Sequence, residues 1–281
     1  MKISAFRCFV FVSCCTQALP AATVDFDTSG ELQNNFNFVT SSGVNRYTQS
    51  SSGGVGNSGS VGFTAVSTDD TTAIYNQSSF DFSIPSTQLS ISALFHVVPV
   101  SDSYIGFSAG FTLIEIGFST ENSTGFGHRI PGNAFMSLGL EPVTTTGDTF
   151  NMFYSTGSPS GGSSTAIFQT QIILTPGDFY KLTGTFLISS PSTYQVSGEL
   201  DDYGTDGLSP GGTVFSFSNN NHGGAGTTLP SDSAVWGGFL SDSANGTDHL
   251  DMFAIQQVPE PSTWALLGLG VAWLVIFRRR R

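Results

Sequence analysis

The chain has 281 residues, of which only 11% are charged, and its formal net charge is −12. Between residues 23 and 258 there are 20 acidic residues and three basic ones, so this body repels nucleic acid and anionic lipid and excludes a DNA-binding role. All three cysteines lie within the first 15 residues, so the rest of the chain forms no disulfide and offers no thiol ligand or nucleophile.

The N-terminus has the parts of a secretory signal peptide. Lys2 and Arg7 supply the positive start, residues 8–15 are a short apolar stretch, and the small residues Ala21 and Ala22 suit cleavage by signal peptidase. Residues 11–14 also resemble a lipobox, so lipoprotein processing stays open as an alternative, as does a plain N-terminal strand. The segment predicts an exported protein.

The body of the chain predicts an all-β fold. Period-2 alternation and short aromatic runs dominate, and no stretch sustains the helical period of about 3.6 residues. Gly, Ser, Asn and Pro clusters separate the runs, which is typical of a single two-sheet β-sandwich of jelly-roll type. The predicted strands are 23–26, 36–40, 62–66, 73–75, 79–82, 89–97, 104–107, 112–118, 134–140, 150–154, 165–174, 179–188, 194–201, 214–218, 235–240 and 250–255.

Residues 178–204 predict a long hairpin. Residues 178–186 alternate apolar and polar side chains, and residues 194–204 follow with Val-Ser-Gly-Glu-Leu-Asp-Asp-Tyr-Gly at their end. This hairpin resembles one in concanavalin-like and laminin-G-like sandwiches, and residues 250–255 resemble the closing strand of such jelly rolls. The resemblance implies a lectin-like body, and proteins of this kind often bind sugars.

Three aspartates suggest a calcium site. Asp25 and Asp27 stand two apart on a predicted strand, so both are expected on one face of it. In jelly rolls the first and last strands are often neighbours, which would bring Asp251 close. Carboxylates suit Ca²⁺, which takes about six to eight oxygen ligands. The alternative is a solvated face with ordinary strand-end aspartates, and no other cofactor is expected.

The other polar residues favour structural roles over metal binding or catalysis. Residues 201–207 combine Asp and Gly as a tight turn does, and they lack the closing Glu of an EF-hand loop. Glycoside hydrolysis needs two carboxylates flanking a cleft. Glu115 is the mid-strand candidate but has no motif partner, so we expect an outward-facing edge residue and no enzymatic activity.

Five aromatic residues are candidates for stacking on sugars, and packing within the fold is the alternative for each. They are Tyr47, Tyr104, Tyr154, Tyr203 and Trp236.

The C-terminus predicts a short membrane segment. Residues 264–277 carry no charge, and as a helix they would span about 21 Å, against about 30 Å for the hydrocarbon core. The basic residues that follow would stay cytoplasmic and retain the segment in the membrane; they are Arg278, Arg279, Arg280 and Arg281. A short span of this kind suits a transient stop during export.

Just outside this segment lies Val258-Pro259-Glu260-Pro261-Ser262. The prolines keep the backbone extended and accessible to a processing enzyme. This motif, the apolar run and the basic end together resemble the PEP-CTERM sorting signal of Gram-negative bacteria. The resemblance implies processing at Pro259, Glu260 and Pro261 by an exosortase-type enzyme, and residence in the cell envelope or extracellular matrix.

The sequence therefore predicts a signal peptide at 1–22, one β-sandwich domain at 23–257 and a sorting signal at 258–281. The expected function is that of a non-enzymatic surface or matrix protein associated with exopolysaccharide in a biofilm. A carbohydrate-binding, lectin-like module is the alternative, and a glycan-active hydrolase is a more remote one. Expected partners are signal peptidase, the exosortase-type enzyme and polysaccharide, with at least transient membrane contact through the C-terminal helix.

Overall fold

Two antiparallel sheets account for nearly all of the regular structure. The computed structural model of the protein describes residues 21–40, 45–63, 71–83, 87–97, 112–121, 135–143, 148–157, 163–190, 193–219, 234–241 and 249–258. Within these ranges the strands are β1 (Ala21–Val24), β2 (Phe36–Thr40), β3 (Tyr47–Ser50), β4 (Ser60–Phe63), β5 (Thr71–Tyr75), β6 (Gln88–His96), β7 (Ile114–Ser119), β8 (Phe135–Pro142), β9 (Thr149–Gly157), β10 (Ser163–Ile173), β11 (Phe179–Ser190), β12 (Thr193–Gly204), β13 (Gly212–Asn219), β14 (Trp236–Leu240) and β15 (His249–Val258). A short helix, α1 (Glu31–Asn35), and a 3₁₀ turn (Val55–Asn57) complete the described elements.

The larger sheet has eight strands in the order β13-β12-β11-β6-β15-β4-β3, with β1 also paired to β15. Its longest ladder is the β11–β12 hairpin, which runs from the pair Phe179–Gly204 to the pair Ser190–Thr193. The predicted hairpin is therefore confirmed. Its alternating sequence explains the pairing, because successive side chains in a strand point to opposite faces of the sheet.

The second sheet has seven strands in the order β10-β9-β8-β7-β14-β5-β2. β9 and β10 are consecutive in the chain and antiparallel, and Ser163 pairs with Gly157. The Gly- and Ser-rich stretch between these strands therefore does not divide the chain between two sheets. The predicted all-β, two-sheet sandwich is confirmed.

The core lies between the two sheets. Leu182 and Leu200 of the larger sheet and Ile116 and Leu138 of the smaller one are fully buried in one continuous cluster. The cluster is rich in phenylalanine, whose burial supplies much of the driving force for folding without disulfides.

Several predicted elements differ from the structure. β3 and α1 were not predicted, because both are short and neither carries a clear apolar period. Residues 79–82, predicted as a strand, form only an isolated bridge between Phe80 and Val235. The predicted strand 104–107 lies outside the described residues.

The two ends of the described body lie side by side. β1 begins at Ala21 and pairs with β15, where Ala21 stands opposite Gln256. β15 continues to Val258, which pairs with Gln88 of β6. The predicted C-terminal membrane helix, residues 264–277, lies outside the described residues.

Candidate functional site

Asp251 is the buried acidic residue at the end of the sandwich where the first and last strands meet. It lies at a β-bulge, since the pairing of β15 with β6 shifts between Leu250 and Met252. Its side chain is 7% exposed. Its Oδ1 accepts hydrogen bonds from the backbone N–H of Val55 at 2.8 Å and from the Ser58 hydroxyl at 2.9 Å. Asp251 therefore anchors the loop that contains the 3₁₀ turn.

This loop packs against the carboxylates through glycines. A Cβ at Gly54 would lie 2.0 Å from Asp251 Oδ1, and one at Gly59 would lie 2.0 Å from the carbonyl oxygen of Phe26. The N–H of Gly59 donates to Asp27 Oδ1 at 2.8 Å. The close approach explains the glycines here, because a side chain at either position would displace the backbone.

The placement of Asp25 and Asp27 corrects one prediction. β1 ends at Val24, before both aspartates, and Phe26 between them has a φ of 59°. A left-handed residue breaks the two-residue alternation of a strand, so the two side chains do not project from one strand face. Asp25 Oδ1 instead accepts the N–H of Asp27 at 3.3 Å.

Burial, hydrogen bonds and neighbouring charges together set the pKa of the Asp251 carboxyl. Burial raises the pKa of the Asp251 carboxyl, and the hydrogen bonds from Val55 and Ser58 act in the opposite direction. The negative charges of Asp27 and Asp25 raise this pKa further. No three His, Cys, Asp or Glu side chains within the described ranges form a group that could hold a metal ion. Calcium binding by these aspartates stays a prediction.

Replacing Asp251 with asparagine is expected to stabilise the protein relative to wild type, and more so at pH 7 than at pH 4. A carboxyl whose pKa is raised in the folded state binds its proton more tightly there. Its contribution to the free energy of unfolding therefore falls as pH rises above about 3.9, the unfolded pKa. The amide oxygen still accepts from Val55 and Ser58 but never ionises. Urea unfolding at several pH values measures the difference.

The matched control is Asp251→Ala, which removes the acceptor. This variant is expected to lose about 1–3 kcal/mol, because two donors lose their partner. A stability difference between Asp251→Asn and wild type that does not change with pH would contradict the burial of an ionised carboxylate. Repeating the unfolding with added Ca²⁺ tests the calcium prediction, which requires stabilisation of wild type and none of Asp251→Asn.

A second polar cluster lies along β12. The Thr213 hydroxyl lies 2.8 Å from Asp201 Oδ1 and 3.1 Å from Glu199 Oε1, and Lys181 stands directly across from Asp201. Tyr203 follows on the same strand and is half-buried. Burial raises the pKa of the Tyr203 hydroxyl, and the charges of Asp201 and Glu199 add to this. Carboxylates accept hydrogen bonds from hydroxyl groups, and an aromatic ring offers an apolar face.

The other predicted sugar-stacking residues differ in their surroundings. Tyr47 and Tyr154 are each 3% exposed and belong to the core. Trp236 is partly buried and packs against a small apolar cluster of the seven-stranded sheet. Tyr104 lies outside the described residues. Among these five, Tyr203 combines partial exposure with neighbouring carboxylates.

Glu115 is fully buried, which corrects the prediction of an outward-facing edge residue. β7 is an interior strand, and Glu115 pairs with Leu240 of β14 and Gly139 of β8. The Ser137 hydroxyl donates a hydrogen bond to Glu115 Oε1. Neither residue paired with Glu115 is an acid, so strand register does not supply the second carboxylate that glycoside hydrolysis needs.

The predicted turn at residues 201–207 is confirmed for its second half, since residues 201–204 belong to β12 and the turn follows them. Asp202 Oδ1 accepts the N–H of Gly204 at 2.6 Å, and Asp206 Oδ1 accepts the N–H of Leu208 at 3.0 Å. Gly204 and Gly207 both have positive φ, at 62° and 68°. These aspartates therefore organise the connection between β12 and β13.

The predicted sorting residues, Pro259 to Pro261 and the four terminal arginines, lie outside the described residues. Across the part of the chain that the structure does describe, no helix has the length and hydrophobicity needed to cross a membrane.

Comparison with protein families identifies the C-terminal segment. Residues 257–281 match the PEP-CTERM protein-sorting motif. The match implies an exported protein that exosortase sorts to the envelope or surface of a Gram-negative bacterium. A search of curated proteins found no significant relative.

The body is similar to several solved structures, among them a lectin and an alginate lyase. Lectin II from Ulex europaeus is 12% identical, with 85% of this chain and 99% of that one covered and a TM-score of 0.46. The Ca²⁺- and Man2-bound exoplasmic/lumenal domain of VIP36 is 10% identical over 81% and 83% of the two chains, with a TM-score of 0.47. The PL-14 alginate lyase from Aplysia kurodai is 10% identical over 82% and 92%, with a TM-score of 0.45. At these identities the likeness concerns the fold alone.

Proposed function

We propose that this protein is a non-enzymatic component of the bacterial surface or extracellular matrix that associates with exopolysaccharide. The observation that carries the proposal is the PEP-CTERM motif at residues 257–281, attached directly to the last strand of the sandwich. A sorting signal in this position delivers the folded body to the outside of the cell. At the cell surface the folded body would contact the exopolysaccharide that surrounds the cell.

The composition of the body supports association with polysaccharide. Charged residues make up 11% of the chain, so hydroxyl and amide groups supply much of its polar surface. Such groups exchange hydrogen bonds with sugar hydroxyls without the salt sensitivity of ion pairs. The acidic balance disfavours strongly anionic polymers, so a weakly charged polysaccharide suits this surface better.

The environment of Glu115 supports a non-enzymatic role. This acid is buried, accepts a hydrogen bond from Ser137, and is paired in the sheet with Gly139 and Leu240. A structural use of the carboxylate accounts for these contacts without a substrate.

Fractionation of producing cells tests the proposal. The protein is expected to co-purify with exopolysaccharide and to be released when that polymer is degraded by an added glycosidase. Incubation of the purified protein with the polymer is expected to generate no new reducing ends. Depolymerisation by wild type that is lost in Glu115→Gln would overturn the non-enzymatic role.

A lectin-like module with a defined sugar site is the second candidate. The cluster of Tyr203, Asp201, Glu199 and Thr213 favours it, because a partly exposed ring lies on the same strand as two carboxylates that accept hydrogen bonds from a hydroxyl group. The ring would stack on one face of a sugar while the carboxylates accept from its hydroxyls.

For this candidate, Tyr203→Ala is expected to weaken polysaccharide binding about tenfold, which corresponds to about 1.4 kcal/mol, since the complex would lose both the stacking contact and the apolar area that the ring buries. Affinity electrophoresis in gels that contain the polymer measures the effect. Tyr203→Phe is the matched control, because it keeps the ring and is expected to bind nearly as wild type does. Binding that is unchanged in Tyr203→Ala would exclude this site and leave the matrix role.

A further inference from the structure

The edge strand β13 differs from the other sheet edges of the described chain. β1 and β3 have four residues each and β2 has five, which limits pairing with another strand. β10 is longer but contains two register shifts in its pairing with β9. Short and bulged edges are common protections against strand addition. β13 has eight residues and one register shift, near its start, between Leu200 and Asp201 of its partner.

β13 also lacks the charges that protect an edge. Residues 207–219 contain no Asp, Glu, Lys or Arg, in a body with 20 acidic residues. Ser216 and Ser218 are exposed, and Val214 is 40% exposed. Among the described strands, β13 pairs with β12 alone. Its outer edge therefore offers backbone donors and acceptors in a regular row.

The side of the sandwich next to this edge is closed by aromatic rings that are only partly buried. Phe217 of β13 stacks on Phe168 of β10, with ring centroids 3.8 Å apart, and Phe215 lies 6.3 Å from Phe217. A strand added beside β13 would cover these rings and extend the core. Hydrogen bonding and apolar burial would then act together.

We propose that β13 pairs with β13 of a second copy of this chain, in antiparallel orientation about a two-fold axis. A second copy is a suitable partner because a two-fold interface brings the same surface of both molecules together, so that β13 of one copy pairs with β13 of the other. Two acidic copies repel each other, but β13 itself carries no charge, so its pairing with itself places no like charges directly opposite each other. The nearest carboxylates, those of Glu199 and Asp201, lie one strand away on β12. The result is one sheet continuous across both molecules.

The test compares association of the full chain with that of the double variant Ser216→Lys/Ser218→Lys. In the folded monomer the lysine introduced at position 216 would face Glu199, which supports folding. In the symmetric pair, with the two-fold axis near Phe217, position 216 of one copy is opposite position 218 of the other. The introduced lysines would therefore face each other, and like charges directly across a strand pair are unfavourable. The association constant is expected to fall at least about tenfold, which corresponds to about 1.4 kcal/mol.

The matched control is Gln33→Lys/Asn34→Lys, which adds the same charge to exposed positions of α1, next to β2 and β3. All variants keep residues 258–281, so any association through that segment is common to them. Light scattering in mild detergent measures mass against the 29.6 kDa of one chain. The control is expected to associate as wild type does.

Amide hydrogen exchange locates the contact. In wild type, protection of residues 215–219 is expected to rise with protein concentration, and in the lysine variant it is expected to stay constant. Wild type that remains monomeric up to about millimolar concentration would overturn the proposal. So would association that the lysine variant retains, or protection that rises elsewhere and not in β13. Unchanged circular dichroism of the variant shows that it is folded.

Discussion

Replacing Phe36 with alanine is expected to lower the free energy of unfolding by about 3–5 kcal/mol, the range for removing a buried phenylalanine. Phe36 is 2% exposed and joins the two sheets. Its ring centroid lies 5.3 Å from that of Phe239 in its own sheet and 5.5 Å from that of Phe253 in the opposite sheet. It also meets Tyr75 edge-on at 5.7 Å. Alanine would leave a cavity lined by rigid rings, which have little freedom to collapse into it.

The matched control for Phe36 is Phe38→Ala, on the same strand. Phe38 is only partly buried, so its loss is expected to cost about half as much or less. Urea unfolding of both variants measures the two differences. A cost for Phe36→Ala below about 1 kcal/mol would contradict the central position of this ring in the core.

Alanine at all three positions of Pro259-Glu260-Pro261 is expected to abolish C-terminal processing. Residues 257–281 match the sorting motif, and these three residues form its signature. The wild-type protein recovered from the surface or medium is expected to end near residues 259–262. The triple variant is expected to keep its arginines and to remain with the membrane. Mass spectrometry of the C-terminal peptide distinguishes the two forms.

The matched control for the tail is Pro210→Ala, which removes an exposed proline from the connection between β12 and β13. Its processing is expected to match that of wild type. Wild-type protein that reaches the surface with Arg281 intact would contradict processing and favour a retained anchor.

Strand identity could be predicted from sequence wherever alternation was sustained. β11 and β12 are examples, since each is 12 residues long and alternates apolar with polar side chains. β3 could not be predicted, because its four residues carry one apolar side chain, Tyr47, and depend on pairing with β4. A four-residue strand has too short a pattern to be distinguished from a loop, and tertiary contacts decide its conformation.

For the acidic residues too, the sequence predicts one part of the arrangement and tertiary contacts decide the other. The sequence predicts that Asp25, Asp27 and Asp251 are close because the first and last strands of jelly rolls are often neighbours, and β1 does pair with β15. The bonds of Asp251 to Val55 and Ser58 join residues 196 and 193 positions apart. In the sequence, only the glycines at 54 and 59 indicate such a contact, since glycine permits close backbone approach. They do not show which residue approaches.

The export signals, the acidic and charge-poor character of the body, and the all-β class could all be predicted from the amino-acid sequence. These properties depend on composition, on short contiguous motifs and on local periodicity, all of which are readable along the chain. The burial of Glu115, the anchoring of the loop by Asp251 and the exposure of β13 became visible only in the folded structure. Each of these depends on sheet order and register, which join residues distant in sequence, and the energy of such contacts is not encoded in any single segment.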